Sequence, residues 1–281
     1  MACAILGPAG TFSEEAAQLY WSDKEDYVLA RSIPEIFVLL NTKQVAEALI
    51  PMENSRAGSI SLTMEALEAN NVYIKGEISI PVRQHLMAGK KLDLADIELL
   101  VSQPTALMQC QHFINSYLPE TRKEITTSTT RAAEIVRSEE RRAACIGNQL
   151  ACNLYGLEMI QNNIQDEDNY TRFVHVRSGQ APKVEKEKSS IIFTLPDRPG
   201  ALYHTLEIFN RRNLNLSKIE SRPGKLAKGS YSFYIEVENG SNRVGIEELL
   251  KELQKRCTLV KYLGSYSSCT RGKTRRRAGP Y

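Results

Sequence analysis

AILGPAGTFSEEAA, residues 4–17, is the stretch that decides the fold class. Ala4-Ile5-Leu6 reads as a short apolar strand, and Gly7-Pro8-Ala9-Gly10 breaks it. Thr11 then opens a helix, with Glu14 three residues later at the capping-box spacing. A strand that turns straight into a helix leaves unpaired backbone N–H groups at the helix N-terminus, where a small anion can sit. The theme recurs at Ala48-Leu49-Ile50, whose polar exit Pro51-Met52-Glu53-Asn54-Ser55 leads through Gly58 to a helix over 60–68. Residues 98–101 form a third strand, followed by Ser102-Gln103-Pro104 and a helix with Leu107, Cys110, Ile114 and Tyr117 on one stripe. A helix over 131–137 and a late strand over 173–176 complete an alternation that predicts an α/β layered domain.

The pattern changes at residues 178–189, SGQAPKVEKEKS, which are poor in apolar side chains and rich in charge, as a domain boundary is. Beyond it, strands at 191–195, 214–221, 230–237 and 259–263 and helices at 199–211 and 244–255 follow the order βαββαβ, the ferredoxin-like split. The expected division is 1–178, 189–266 and a basic tail over 267–281. The tail carries Arg271, Lys273, Arg275, Arg276 and Arg277 and no acid, and the net charge of +3 rests on it. No aromatic residue interleaves those charges, so a solvated tail is expected, and neither nucleic acid nor membrane is expected as a partner. No apolar run reaches membrane-span length and no signal-like N-terminal segment is present, which points to the cytoplasm. The six cysteines form no Cys-x-x-Cys pair and read as reduced packing residues.

Four stretches of the first half together resemble prephenate dehydratase: GPAGTFSEEAA (7–17), PMENSRAGS (51–59), SQPTALMQC (102–110) and DNYTRF (168–173), with RSIPEIF (31–37) fitting between them. In the second half, PGAL (199–202) and IESRP (219–223) resemble the two effector-binding motifs of the ACT domain joined to that enzyme. The resemblance runs in order over roughly residues 3–266. It implies a two-lobed, periplasmic-binding-protein-like catalytic domain with its site in the cleft, followed by a ferredoxin-like ACT domain. The implied reaction converts prephenate to phenylpyruvate with loss of CO2 and water, in phenylalanine biosynthesis. L-Phenylalanine is the implied inhibitor, and a homodimer or dimer of dimers the implied assembly.

Because the product gains aromaticity, the reaction needs a fixed substrate geometry and a hydrogen bond or proton at the departing oxygen, with no metal or cofactor. The histidines His85, His112, His175 and His204 form no metal-ligand spacing. The resemblance gives Thr171 the role of donor to the leaving hydroxyl, with Arg172 as the neighbouring cation. In a regular strand from 170, however, Thr171 and Phe173 would share one face and Arg172 the other. Arg172 therefore either meets substrate or holds the structure. Glu53 is the rival acid, since a dianionic substrate should raise its proton affinity; alternatively it accepts backbone bonds at its turn. Asn54 and Ser55 suit carboxylate or hydroxyl binding, or plain helix capping. Ser102 and Gln109 match cleft-lining positions, with Ser102 equally an N-cap; Thr11 is expected to cap and to bind. Phe173 is expected to pack under the substrate ring or under Thr171. For the effector, Gly200 admits close backbone approach with Ala201 and Leu202 opening the helix beside it. Glu220, Ser221 and Arg222 offer both charge signs to a zwitterion and to a second subunit. Tyr203 after Leu202 departs from the small apolar residue common in the family, leaving phenylalanine and tyrosine both open. Two other readings stand beside this one: arogenate as substrate, and a non-enzymatic metabolite sensor.

Overall fold

Short apolar runs followed by turns and amphipathic helices give the first half two separate sheets. A computed structural model of the chain describes residues 2–22, 26–139, 141–184, 186–224, 230–238 and 245–267; all of the expected basic tail but Ser267 lies outside them. The first lobe contains β1 (Cys3–Leu6), α1 (Phe12–Tyr20), β2 (Tyr27–Ala30), α2 (Ile33–Asn41), β3 (Glu47–Asn54), β4 (Gly58–Ser59), α3 (Ser61–Ala69) and β5 (Val72–Pro81). The second contains β6 (His85–Ala88), β7 (Leu99–Ser102), α4 (Pro104–Gln109), α5 (Gln111–Tyr117), β8 (Arg122–Ile125), α6 (Thr129–Ser138), β9 (Ala143–Gly147), α7 (Gln149–Tyr155) and β10 (Glu158–Gln161). The chain then returns to the first lobe as β11 (Tyr170–Ser178), giving sheet orders β2-β1-β3-β11-β5 and β10-β6-β9-β7-β8. The lobes are thus joined twice, through 82–84 and 162–169. The two connections bond to each other: Val82 N–H donates to Asn169 O at 2.7 Å and Ile164 N–H to Gln84 O at 2.8 Å.

β1, β2 and β3 run parallel, as do β7, β8 and β9. The carboxyl ends of parallel strands are where an open α/β sheet presents a crevice, and Thr11, Asn54, Ser102, Thr130 and Asn148 all lie at or just beyond such ends. The lobes touch there. A Cβ on Gly10 would stand 3.3 Å from Ala151 Cα and 3.5 Å from Thr130 Cγ2, while Asn148 Nδ2 donates to Glu15 Oε2 across the gap at 3.1 Å.

Three local expectations change. The segment Pro51-Met52-Glu53-Asn54 is the last half of β3 and not a strand exit. The helix expected after Ser102 is broken at Cys110, and Tyr117 is exposed. The break is held from outside: Asp166 N–H donates to Gln109 O at 2.8 Å, and its carboxylate accepts from His112 N–H at 3.0 Å. The late strand begins at Tyr170, three residues earlier than the apolar run suggests, because polar Thr171 and Arg172 pair with β3 and β5 on either side.

The small domain comprises β12 (Lys188–Leu195), α8 (Ala201–Arg211), β13 (Asn215–Pro223), β14 (Tyr231–Glu238), α9 (Ile246–Gln254) and β15 (Leu259–Tyr266), with sheet order β13-β14-β12-β15. This is the expected βαββαβ fold. Alternation along β12 divides its side chains between two cores. Ile191, Phe193 and Leu195 face α8 and α9, whereas Ile192 joins Tyr234, Leu263 and Tyr266 in one cluster with Ala4, Ala48 and Val174 of the first lobe. The charged linker is a boundary in sequence, but the hydrophobic core crosses it.

Candidate active site

The register of β11 against β3 settles which side chains meet. Thr171 lies opposite Asn54 and Arg172 opposite Glu53. Successive strand residues face opposite ways, so Asn54 and Thr171 share one face while Glu53 and Arg172 share the other. The ladder shifts register between Arg172 and Phe173.

On the first face, the Asn54 amide is oriented by its own turn. Oδ1 accepts from the backbone N–H groups of Arg56 and Ala57, both at 3.0 Å. Nδ2 must therefore point the other way, and it donates to Asn169 Oδ1 at 2.8 Å and to Thr171 Oγ1 at 3.0 Å. Ser55 Oγ also donates to Asn169 Oδ1, at 3.2 Å, and accepts from Tyr170 N–H at 3.0 Å. Two consequences follow. The Thr171 oxygen is occupied as an acceptor, and its O–H donates to no described residue. The Asn169 Oδ1 is occupied as well, so its Nδ2 is the free end; it is buried without a partner in a side chain only 3 % exposed. A donated bond into Thr171 polarises its O–H toward donation.

The second face is a buried charge cluster. Arg172 donates from Nε to Glu53 at 2.8 Å, from Nη1 to Glu77 at 2.7 Å and from Nη2 to Glu236 of β14 at 2.7 Å. Lys188 Nζ joins Glu77 and Glu236 at 3.0 and 3.2 Å, and Lys218 Nζ of β13 donates to Glu53 Oε2 and to Ser59 Oγ. Arg172, Lys188 and Lys218 thereby balance Glu53, Glu77 and Glu236. This corrects two expectations. Arg172 is not a substrate-facing cation; its guanidinium is spent on three carboxylates beneath the β3–β11 ladder. Among its own protein neighbours Glu53 gains no proton affinity. Burial pushes its pKa up, but the bonds and charges of Arg172 and Lys218 outweigh that and hold it at about 2. It carries no proton to give at neutral pH.

The remaining expected residues divide. Phe173 is 1 % exposed and packs with Ile5, Ala16, Ala17, Leu49 and Ile80 beneath α1, so it supports the ladder from the core and lines no surface. Ser102 is fully buried and donates to Ile146 O at 3.1 Å, tying β7 to β9 and capping nothing. Thr11 occupies the helix N-cap position, but its hydroxyl makes no cap bond and donates to Leu6 O at 3.3 Å; Glu14 serves Gly10 N–H instead, at 2.6 Å. Gln109 is half-buried and accepts from Gln84 Nε2 at 2.9 Å, in a cluster where Gln165 Oε1 accepts from Gln84 N–H at 3.0 Å.

In the small domain, Gly200 takes φ +80 at the start of α8, a conformation that favours glycine. Ala201 borders a cavity of about 390 Å³ with Arg198, Pro199, His204, Thr205 and Arg256, while Leu202 packs on the domain's own core. Arg222 is not simply poised for an effector. It reaches Ser61 O at 2.8 Å and Ser61 Oγ at 2.7 Å at the start of α3, and Glu220 at 3.2 Å; Ser221 is exposed.

Sequence reasoning passed over Asn169, Gln84 and Thr130, whose Nδ2, Oε1 and Oγ1 are buried without partners. Only Asn169 gave a signal, standing two residues before Thr171 within a motif already singled out. Lys188 and Lys218 were also missed, because a lysine in a charged linker or on an alternating strand reads as solvated.

The chain matches the family profile Prephenate dehydratase over residues 3–181 and the profile ACT domain over residues 189–255. It is 34% identical to a prephenate dehydratase of Bacillus subtilis, covering 95% of this chain and 99% of that one. It is 35% identical to a prephenate dehydratase of Methanocaldococcus jannaschii, covering 92% and 95%. The crystal structure of a prephenate dehydratase from Arthrobacter aurescens in complex with L-Phe superposes with a TM-score of 0.84 at 27% identity, over 95% of this chain and 90% of the other.

Proposed function

The chain belongs to the prephenate dehydratase family, and from that premise we propose how its own residues carry the reaction. Prephenate loses its ring carboxylate as CO2, the electron pair of that C–C bond aromatises the ring, and the ring hydroxyl departs with one proton as water. The charge that develops is on the departing oxygen. A hydrogen-bond donor fixed beforehand at that position lowers the barrier, because it need not reorganise when the charge appears.

Thr171 is that donor. The observation that carries this reading is the Asn54 amide: anchored by Arg56 and Ala57 N–H, it donates to Thr171 Oγ1 and leaves the hydroxyl proton directed elsewhere. Threonine is too weak an acid to protonate the leaving group outright, so it stabilises hydroxide character while water supplies the proton. Glu53, ionised and doubly held, serves structure and not proton transfer.

L-Phenylalanine is the effector this reading assigns to the small domain, with Gly200, Ala201, Leu202, Glu220, Ser221 and Arg222 as its candidate contacts. A homodimer paired through β13, an edge strand of its sheet, brings two copies of those motifs together. No helix among the described residues is long and apolar enough to cross a membrane, and we place the protein in the cytoplasm.

The test is to incubate the purified protein separately with prephenate and with arogenate and to follow phenylpyruvate and phenylalanine. Phenylpyruvate from prephenate is expected, and its production should collapse in Thr171→Ala and largely survive in Thr171→Ser. Thr171→Ala turning over near the wild-type rate removes the donor role. Tight binding without turnover in the wild type makes the protein a sensor instead.

A further inference from the structure

Three cations reach from the small domain onto one short piece of the catalytic half. Lys218 Nζ of β13 donates to Glu53 Oε2 and Ser59 Oγ. Arg222, four residues further along the same strand, grips Ser61 at the start of α3. Lys261 of β15 donates to the carbonyls of Leu67, Glu68 and Asn70 at the other end of α3, closing its C-terminal turn with a cation. The gripped piece is the end of β3, β4 and α3, and its first residues are Glu53, Asn54 and Ser55. Asn54 and Ser55 build the Thr171–Asn169 cluster.

We infer that Lys218 is a positioning residue for this reaction: it holds Glu53, and so the Asn54 amide, in the register that presents the Thr171 hydroxyl, and it carries the state of the small domain to the cleft. This rests on the function proposed above. Three observations carry it. Glu53 Oε1 is held by Arg172 of the β11 strand and Oε2 by Lys218, so the carboxylate ties the end of β3 to both domains at once. Glu53 and Asn54 are adjacent, and Glu53 faces Arg172 while Asn54 faces Thr171, so a shift of the Glu53 backbone moves the amide that orients the hydroxyl. Lys218 directly precedes Ile219-Glu220-Ser221-Arg222-Pro223, so any ligand that displaces this stretch of β13 displaces the lysine. Lys218 also lies 3.8 Å from Glu220, a second carboxylate toward which it can turn on leaving Glu53. That supplies a two-position element, which a coupling between distant sites requires.

The experiment uses the full chain and three variants, Lys218→Met, Lys218→Arg and Glu53→Gln, with two readouts. The first is hydrogen exchange of a peptide spanning 53–60, with and without saturating L-phenylalanine. Exchange at Ser55, Arg56 and Ala57 N–H should accelerate in Lys218→Met at unchanged global melting, and Lys218→Arg should restore protection. The second is the fold-change that L-phenylalanine imposes on kcat/KM with prephenate. A coupling of the usual ~5–150-fold should shrink below about twofold in Lys218→Met and in Glu53→Gln, while calorimetry still finds phenylalanine bound. Unchanged protection of 53–60 in Lys218→Met, or undiminished coupling in that variant, overturns the inference. A wild type that turns over no prephenate overturns the function instead; the exchange arm then still decides whether Lys218 holds the segment. If Lys218→Met fails to fold, Lys218→Gln, which leaves the Arg172–Glu53 pair in place, supplies both readouts.

Discussion

Replacing Asn54 by aspartate tests the donor assignment with almost no change in shape. The new carboxylate can still accept from Arg56 and Ala57 N–H, the two 3.0 Å bonds that hold the turn, and as charge-assisted bonds they should strengthen. What it cannot do is donate. Thr171 Oγ1 loses the bond from Asn54 Nδ2, and its proton gains an anionic acceptor at the place where a donor stood. The hydroxyl should turn away from substrate. Loss of one preorganised donor at a developing oxyanion costs about 2.7–4 kcal/mol, or a ~10²–10³-fold fall in kcat. Asn54→Ala is the control: it gives up the turn bonds, at about 1 kcal/mol each, but leaves Thr171 free to donate. Asn54→Asp should therefore melt close to wild type yet turn over more slowly than Asn54→Ala at saturating prephenate. Repulsion of the dianionic substrate on binding falls on KM, whereas repulsion of the charge developing on the departing oxygen lowers kcat in the same direction as the lost donor. If Asn54→Asp matches or exceeds Asn54→Ala in kcat, Thr171 is not oriented in this way.

Arg172→Met leaves Glu53, Glu77 and Glu236 without their shared cation and should cost about 3–5 kcal/mol in urea unfolding, more than any effect confined to the active site. Glu53, held at about 2 against an ordinary 4.5, stabilises the fold fully above the ordinary value and loses that contribution as pH falls through about 2. Because the carboxylate is about one-third exposed, solvent screening reduces the effect to about 1–2 kcal/mol, and Glu53→Gln should flatten that limb of an acid-unfolding curve. Lys261 gives a slope of the same sign at higher pH: burial lowers its pKa to about 8, so between about pH 8 and its ordinary 10.5 the unfolded chain binds more protons and stability rises with pH. Lys261→Met should remove that slope from denaturant titrations. Gly264→Ala should break the domain contact, because its φ is +117 and the added Cβ would stand 2.7 Å from Ile74 O of β5; a fall of about 1–3 kcal/mol is expected.

The fold class was legible because strand-turn-helix punctuation and the later βαββαβ order are local signals. What the sequence hid is tertiary. The helix after Ser102 carries a continuous apolar stripe, yet it breaks at Cys110, where Asp166 contacts arriving from the β10–β11 connection hold both sides of the break. Asn54, Ser55 and Thr171 were nameable from their motifs, but the amide direction that gives Thr171 its polarity depends on a turn bond and a register invisible in a linear string. Arg172 shows the limit most plainly. Strand phase raised the question of which way it faces, and only the partners Glu77 and Glu236, 95 and 64 residues away, answer it.

Those partners also bear on why the charged cluster is there at all. An apolar interface between the first lobe and the small domain would hold as well or better, since buried ion pairs are costly to desolvate. Apolar contact already exists: Ile192, Tyr234, Leu263 and Tyr266 share a cluster with the first lobe. An oily seam tolerates sliding, however, while a guanidinium with three committed carboxylates has one register in which every bond is made. Within that register Glu236 and Lys188 belong to the small domain and Glu53 and Glu77 to the lobe. The cluster therefore fixes the end of β3 relative to β14 far more sharply than hydrophobic packing does. The domain that would bind an amino acid is keyed to the strand that orients Thr171, and a rearrangement of β13 that displaces Lys218 alters the pairing of Glu53, one residue from Asn54.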